Sequence, residues 1–405
     1  MFKKTLAAVA VCGAFGSAMA ADVQIYGRID AGLSYVDQQT EASFFDGFDS
    51  YNGNIQDDQS FSMDSGNSTG SRFGIKGSED LGNGLKVGFV LENGFKSDTG
   101  ALSSDGTIFD REATLSLSGG FGTVYAGRMG TLISDSGSVG FYAGAVSPFG
   151  TGWGYISGHT AVMADFSTRY SNTIAYVSPE FAGTKVYAQY AMGDTTENES
   201  TDDRYFAVGA LYTNGPLQVA TLVDYTNKQS CFTFGQPYTH DLDDTWTLNL
   251  GGSYDFGPAK TYVATQYFKN AGDASNIFGS IIDGIGMTGV DKDFALAALA
   301  IDGYGLNIGA DIPAFGGLVK VSAGYMDGEV DSYAGYDLNA YDSQIDVKAY
   351  ALSAAYQYDL SKRTQFYTAA GYTYRELELA PVGVPGKFSL EQDTYQVMAG
   401  IVHKF

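Results

Sequence analysis

The side chains best suited to acid–base or metal chemistry are few in this 405-residue sequence. Histidine is the usual general base near neutral pH and a common metal ligand, and the chain has only His159, His240 and His403. They form no H-x-x-x-H pair and have no cysteine partner at metal-binding spacing. A Ser–His arrangement stays open, but scattered histidines are more often structural. We therefore expect no enzyme and no cofactor.

A second candidate for chemistry is an acidic stretch between residues 36 and 70 that contains no lysine or arginine. Hard divalent cations prefer oxygen ligands, which makes Asp57 and Asp58 weak candidate metal ligands. No regular calcium-loop spacing occurs, so a solvated loop is the favoured interpretation. The acids are Asp37, Glu41, Asp46, Asp49, Asp57, Asp58 and Asp64.

The N-terminus predicts export. Lys3 and Lys4 precede a short apolar stretch, and Ala18-Met19-Ala20 is an A-x-A cleavage site, so residues 1–20 read as a signal peptide. No later run of 18 apolar residues predicts a membrane helix. Removal of the signal peptide would also remove Cys12, which leaves Cys231 without a disulfide partner. The formal charge of −23 opposes nucleic-acid binding, which needs a basic face.

The elements that would carry these residues are strands. Apolar and polar residues alternate in "VQIYGRIDAGLSY" (23–35), in "WTLNLGGSYDF" (246–256), across 350–358 and across 395–405. Period two over about ten residues, with aromatics near the ends of the apolar face, is typical of a lipid-facing strand. A soluble β-sandwich also alternates, so strand patterning alone leaves that architecture open.

The connections between the strands distinguish the two architectures. Seven short turns alternate with eight long connections, which predicts sixteen strands with both termini on the short-turn side. Short turns at one end and long loops at the other are typical of bacterial outer-membrane barrels. Residues 21–405 are therefore predicted to form an all-β, 16-stranded antiparallel transmembrane β-barrel. The turns lie at 80–84, 118–122, 179–183, 214–216, 256–258, 313–317 and 359–363; the long connections lie near 36–70, 96–108, 130–167, 193–203, 227–243, 270–293, 327–347 and 376–391.

One connection, residues 131–168, has an unusual composition for a loop. Its segment "ISDSGSVGFYAGAVSPFGTGWGYISG" is rich in glycine and aromatics and has Asp135 as its one charged residue. A barrel of sixteen strands leaves an aqueous lumen. We expect this loop to fold inward against the wall and narrow the pore. A mobile external loop is the alternative, but it would expose Phe141, Phe149 and Trp153 to water.

These pieces together resemble the general trimeric porins of Gram-negative bacteria, nearest to the Neisseria and Burkholderia type. The resemblance covers nearly the whole mature chain and is strongest in the N-terminal third. It rests on "VQIYGRIDAGLSY", "GSRFGIKGSEDLGNGLKVGFVLE" (70–92), "FGTVYAGR" (121–128), "SPFGTG" (147–152) and the terminal Phe405.

The resemblance implies location and partners as well as fold. It implies a homotrimer in the outer membrane, in contact with its lipid and lipopolysaccharide. It also implies delivery by the barrel-assembly machinery, with Phe405 in the C-terminal strand as the assembly signal. Small hydrophilic solutes would be the molecules that pass.

The resemblance further implies a constriction where wall arginines face acids on the third loop. The implied wall residues are Arg28, Arg72, Arg111 and Arg169, together with Lys76; Arg128 lies where the loop leaves its strand, and the loop acids are Asp135 and Asp165. Strand parity supports an inward orientation for Arg28, Arg72, Lys76 and Arg169. Arg111 shares parity with Leu115 and Leu117, so its orientation rests on the resemblance alone.

One position departs from the pattern. Related porins often carry an acid just before "PFG", where this chain has Ser147. The acidic half of the constriction is thus thin. The sequence favours a passive diffusion channel for small hydrophilic solutes. A channel specific for a sugar or organic anion, or a barrel acting as a surface adhesin or receptor, remain alternatives.

Overall fold

The computed structural model describes residues 22–45, 50–156, 158–164, 167–193, 195–196, 199–200, 204–228, 231–232, 239–240, 243–271, 299–333, 336–337, 343–381 and 386–405. The predicted signal peptide and Asp165 lie outside these residues. Within them, no helix is long and apolar enough to cross a membrane.

The described chain forms sixteen long antiparallel strands, of which the second is interrupted and is named here in two parts. They are β1 (Gln24–Phe45), β2a (Ser50–Ser65), β2b (Arg72–Gly82), β3 (Leu85–Gly94), β4 (Glu112–Gly119), β5 (Gly122–Gly130), β6 (Arg169–Val177), β7 (Thr184–Ala191), β8 (Arg204–Asn214), β9 (Leu217–Asn227), β10 (Thr245–Asp255), β11 (Lys260–Ala271), β12 (Leu299–Ala314), β13 (Gly317–Tyr333), β14 (Ser343–Asp359), β15 (Thr364–Pro381) and β16 (Lys387–Lys404).

Smaller elements lie in the connections. A short helix, α1 (Tyr142–Val146), and two 3-10 turns, Gly154–Ile156 and Gly158–Val162, lie between β5 and β6. The remaining elements are two-residue strands: Thr195–Thr196, Glu199–Ser200, Cys231–Phe232, Thr239–His240 and Tyr336–Asp337.

The sheet closes on itself. Each strand pairs with the next, and β1 pairs with β16 from Arg28 opposite Lys404 to Phe45 opposite Lys387. Phe405 extends the closure, because its backbone N–H and C=O both bond Gly27 at 3.1 Å. The predicted 16-stranded antiparallel barrel is confirmed, and all seven short turns fall where the sequence placed them.

The distribution of apolar and polar side chains on the two faces of the wall is the reverse of that in a soluble protein. In β10, Trp246, Leu248 and Leu250 are exposed, whereas Thr247 and Asn249 are fully buried. The exposed apolar set continues around the barrel, with Ile25 73% exposed on β1. An apolar outer face suits lipid, and polar residues inside suit a barrel interior that holds water.

The first long connection was predicted wrongly. Instead of a loop over 36–70, β1 runs on to Phe45 and the chain returns as β2a, with Gln38 opposite Asp58 and Gln39 opposite Asp57. Successive strand residues point to opposite faces, so Asp57 and Asp58 cannot both face one ion. Within the described residues, no group of three or more His, Cys, Asp or Glu side chains could hold a metal.

In the described part of residues 131–168, apolar side chains pack against the wall. Phe141 is 8% exposed, and Phe149 and Trp153 are each 4% exposed. Phe141 stacks on Tyr187 of β7 at 4.2 Å between ring centroids, and Trp153 meets Tyr367 of β15 edge-on at 5.5 Å. These wall residues belong to the buried face, opposite the exposed apolar set. The segment therefore contacts both β7 and β15.

Glycines in the strands make room for this segment. A Cβ at Gly305 of β12 would lie 2.1 Å from the carbonyl oxygen of Val162, and one at Gly371 of β15 would lie 2.9 Å from a side-chain carbon of Ile156. No side chain fits at such distances without movement of its neighbour. Glycine at these two positions thus leaves the space that Val162 and Ile156 occupy.

Candidate functional site

Four arginines converge on one cavity of about 390 Å³. They come from separate elements: Arg28 from β1, Arg72 from β2b, Arg111 from just before β4 and Arg169 from the start of β6. Asp135, from the segment between β5 and β6, lines the same cavity. Five of the residues singled out from the sequence therefore meet at one place.

The break in the second strand positions two of these arginines. Residues 66–71 fold over Asp30, a fully buried carboxylate that accepts hydrogen bonds from the Ser68 N–H and hydroxyl and from the Thr69 N–H at 2.9–3.0 Å. The Tyr367 hydroxyl donates to its other oxygen at 2.7 Å. Held in this way, the Thr69 hydroxyl accepts from both Arg28 and Arg72 at 3.0 Å.

Glu92 of β3 is the internal counter-ion of the cluster. Its Oε1 lies 2.7 Å from Arg111 Nε and 3.5 Å from Arg72 Nη1, and the Tyr26 hydroxyl donates to Oε2 at 3.0 Å. The side chains of these three charged residues are only 10–15% exposed. Charges so shielded are costly unless paired, so Glu92 holds two guanidinium groups that would otherwise repel.

Arg111 shows where strand parity stops applying. Parity grouped it with Leu115 and Leu117 on the outer face, but β4 begins at Glu112, so Arg111 precedes the regular alternation. Its side chain is 12% exposed and lines the cavity.

Arg169 bridges the wall and the 131–168 segment. Its Nε donates to the Arg111 carbonyl at 3.1 Å, and its Nη2 donates to the Ser136 hydroxyl at 3.3 Å. Arg128, by contrast, does not line the cavity. It sits at an irregular point of the β5–β6 pairing and donates to the Asp110 carbonyl and the Ser171 hydroxyl.

Lys76 also lies apart from the arginine cavity. Its ammonium group sits 5.2 Å from the ring centroid of Tyr26, within cation–π range. It is exposed and lies on the same side of β2b as Arg72.

Among the described residues, one of the two predicted loop acids, Asp135, lines the cavity, and Asp165 lies outside the described residues. Asp135 is exposed, and its carboxylate accepts a hydrogen bond from the Thr151 hydroxyl. Gly150, at φ +61°, lies against the same carboxylate, which occupies the space that a Cβ at this position would need. Ser147 is 4% exposed, and its hydroxyl accepts a hydrogen bond from the Phe149 N–H at 3.2 Å. It does not line the cavity. Among the lining residues, four guanidinium groups face one carboxylate, with Glu92 behind them.

Glu92 and Asp30 are the residues that sequence reasoning missed. Glu92 is the last residue of the stretch 70–92 that carries the family resemblance, and Asp30 is a polar-face residue of the alternating stretch 23–35, but neither was given a role in the site. An acid at an inward-facing strand position beside arginines of neighbouring strands is the signal that could have found Glu92. Asp30 holds the loop at residues 66–71 by accepting hydrogen bonds from Ser68 and Thr69, and strand periodicity cannot reveal such a contact.

His159 is buried in the second 3-10 turn of the 131–168 segment, at 1% exposure. Burial lowers the pKa of its imidazole to about 4, against a smaller raising effect of Asp135. His403 lies on β16, where its Nδ1 and the Thr364 hydroxyl are 2.9 Å apart.

We expect acid to loosen the 131–168 segment through His159. The folded protein keeps this imidazole neutral while the unfolded chain protonates it near pH 6.5, so stability falls as pH drops from about 6.5 to about 4. The whole loss is about 3 kcal/mol and is fully present below pH 4. Thermal midpoints of wild type and His159→Gln between pH 7 and pH 4 test this, since the variant should lose part of the wild-type pH dependence. Parallel profiles would contradict it.

Comparisons with known proteins agree with this architecture. A family model for Gram-negative porins matches residues 5–376. An outer membrane porin protein of Bordetella pertussis is 32% identical over 391 residues, covering 91% of this chain and 94% of the relative. Outer membrane porin protein 32 of Delftia acidovorans is 30% identical over 416 residues, covering 100% of both.

A solved structure matches the fold. The anion-selective porin from Comamonas acidovorans aligns with a TM-score of 0.60 and 24% identity, over 95% of this chain and 100% of that one. The chain therefore belongs to the Gram-negative porins, outer-membrane proteins whose barrels are channels for the passive diffusion of small hydrophilic solutes.

Proposed function

We propose that residues 131–168 cross the lumen and that the arginine cavity beside them forms the narrowest part of the channel, with a weak preference for anions. The convergence of Arg28, Arg72, Arg111 and Arg169 on one cavity with Asp135 carries this proposal. Arg128 and Lys76 lie nearby and add positive charge without lining the cavity. Asp165 belongs to the same segment by sequence and is proposed as a further acid of the constriction.

Two opposing fields act on a passing ion. The acids of β1 and β2a enrich cations near the mouth, whereas the arginine cavity attracts anions. Exposed charges are screened beyond about 10 Å at 0.1 M salt and about 3 Å at 1 M, while charges in a narrow, low-dielectric site are screened less. Anion preference should therefore be clearest at high salt.

The same geometry bears on the specific-channel alternative. In a sugar-specific channel, aromatic lumen residues would guide the sugar, but Phe149 and Trp153 are each only 4% exposed and pack against the wall. The arginine cavity instead suits a small anion. If the channel has a favoured solute, an anionic one fits the site better than a sugar.

Displacing residues 131–168 from the barrel wall tests whether this segment forms the constriction. Gly305→Ala places a Cβ against the Val162 carbonyl oxygen, so we expect a cost of about 1–3 kcal/mol and a rise in single-channel conductance as the segment moves away. Gly120→Ala is the matched control, because its Cβ meets nothing within 4 Å. Equal conductance of the two variants in planar bilayers would show that the segment does not limit the pore.

We also propose that three copies assemble, in contact with outer-membrane lipid and lipopolysaccharide, after insertion by the barrel-assembly machinery through the strand that ends at Phe405. Lipid-facing walls have no hydrophobic drive to associate, so close packing must hold the copies together. We expect a slow-migrating species in detergent gels that becomes monomeric on heating. Monomeric migration without heating would contradict a stable trimer.

A further inference from the structure

A second cavity, also of about 390 Å³, adjoins the arginine cavity and shares part of its rim. The shared residues are Gly70, Thr151, Gly152 and Thr168. Beyond that rim the second cavity is bounded by Trp153, Tyr155 and β15. The one charged residue in its lining is Arg375.

Arg375 differs from the other arginines of the barrel interior. It lies on β15 between Ala349 of β14 and Gln392 of β16, and it is 5% exposed. Its Nε is enclosed without a hydrogen-bond partner. No hydrogen bond or salt bridge joins its guanidinium to any residue in the described part of the chain. Arg72 and Arg111, in contrast, share the Glu92 carboxylate.

A buried guanidinium in this state is energetically costly. Buried charges in proteins are almost always paired or hydrogen-bonded, because desolvation is not otherwise offset. A guanidinium presents up to five N–H donors in a planar fork, which matches a carboxylate or phosphate group in two-point geometry. An arginine that a fold buries without a partner, beside an open cavity, is therefore ready to receive an anion.

The rest of the lining suits the polar part of such an anion. Thr151 and Thr168 supply hydroxyl groups at the rim, and no carboxylate lines this cavity among the described residues. Trp153 and Gly154, at φ +79° and +55°, turn the backbone around its edge, and Gln396 fixes that turn by accepting the Tyr155 N–H at 3.0 Å. The edge is thus held in place before any solute arrives.

We propose that Arg375 and this cavity form a second binding site for a small oxyanion, a carboxylate or phosphate, separate from the four-arginine cavity. An anion would pass between the two sites across the rim at Thr151 and Thr168. The inference rests on the proposed anion-preferring channel and gives it a solute class. The second-site proposal differs from the channel proposal because it requires saturable binding of the anion, whereas a positive field in the channel does not.

The chain contains its own reporter for this site. It has two tryptophans, Trp153 in the cavity lining and Trp246 on the outer wall. In a Trp246→Phe background, Trp153 is the sole tryptophan emitter. The trimer in detergent is titrated with inorganic phosphate and with succinate, at constant ionic strength set by a bulky sulfonate anion.

We expect a saturable change in Trp153 emission. Arg375→Gln should raise the Kd at least about tenfold, because a charge-assisted hydrogen bond is lost. Arg375→Lys, which keeps the charge without the fork, should give an intermediate Kd. Arg72→Gln should leave the Kd of this site within about twofold of wild type, but it should shift the reversal potential of the channel. The two measurements therefore test the binding site and the anion-preferring channel separately.

Three outcomes would overturn the inference. Emission that never saturates excludes a site. An unchanged Kd in Arg375→Gln excludes this arginine, and a Kd raised only by Arg72→Gln assigns binding to the first cavity. If Arg375→Gln does not fold, the wild-type thermal midpoint decides: it must rise with phosphate at constant ionic strength, and to a smaller extent in Arg375→Lys.

Discussion

Replacing Glu92 by glutamine should lower the free energy of unfolding by about 3–5 kcal/mol, the usual cost of removing one partner from a buried ion pair. The amide cannot balance Arg72 and Arg111, which lie 3.5 Å and 2.7 Å from the present carboxylate oxygen. The two guanidinium groups would then face each other in a shielded site. Urea midpoints for barrels refolded into detergent or lipid measure the loss.

Glu79→Gln is the matched control for this change. Glu79 lies on the neighbouring strand β2b, but it is exposed, so its replacement should change stability by less than about 0.5 kcal/mol. Equal midpoints for Glu92→Gln and Glu79→Gln would mean that the arginine cluster does not depend on its internal counter-ion.

Removing two arginines at once should abolish anion preference. Arg28→Ser with Arg72→Ser leaves the cavity with Arg111 and Arg169 against Asp135 and Glu92, so its formal charge becomes balanced. In a tenfold salt gradient, where perfect selectivity gives about 59 mV, the reversal potential should move towards zero or the cation side.

The control removes the same number of cations elsewhere. Lys362→Ser with Arg363→Ser acts on the exposed turn between β14 and β15, where charges are screened by salt. This control should leave the reversal potential close to wild type at high salt. A shift as large as that of Arg28→Ser with Arg72→Ser would mean that net charge, rather than the cavity, sets selectivity.

Strand faces and turns were predictable because their signals are local. Alternation over "WTLNLGGSYDF" places Trp246 and Leu248 on one face whatever the rest of the chain does. Six of the seven short turns carry glycine, proline or asparagine; Asn83, for example, has φ +53°. Sixteen strands follow from counting such signals.

Strand length was not predictable in the same way. The apolar band of an outer-membrane barrel is only about 25 Å tall, and strands that continue beyond it are polar on both faces. Residues 36–65 therefore read as a loop, although they pair in register from Val36 opposite Ser60 to Phe45 opposite Ser50, with one shift near Glu41. Pairing with β16 on the other side of β1 stabilises this hairpin, and no local signal reports such a partner.

The meeting of several arginines could be predicted from the sequence, but Lys76 and Arg128 do not line the cavity, and the counter-ion of the arginines was not predicted. Arg28, Arg72 and Arg169 follow from parity and family resemblance, whereas the role of Glu92 depends on two arginines from other elements. Arg375 was not singled out, because one arginine on an alternating strand looks ordinary. Only the three-dimensional arrangement shows that it lies buried without a counter-ion in the described structure.

The reversal potential of the wild-type channel in asymmetric potassium chloride tests the central claim most directly. The arginine cavity predicts a weak anion preference at about 1 M salt, which fades or turns towards cations near 0.1 M, as the acids of β1 and β2a become less screened. A firm cation preference at high salt, unchanged by Arg28→Ser with Arg72→Ser, would contradict it.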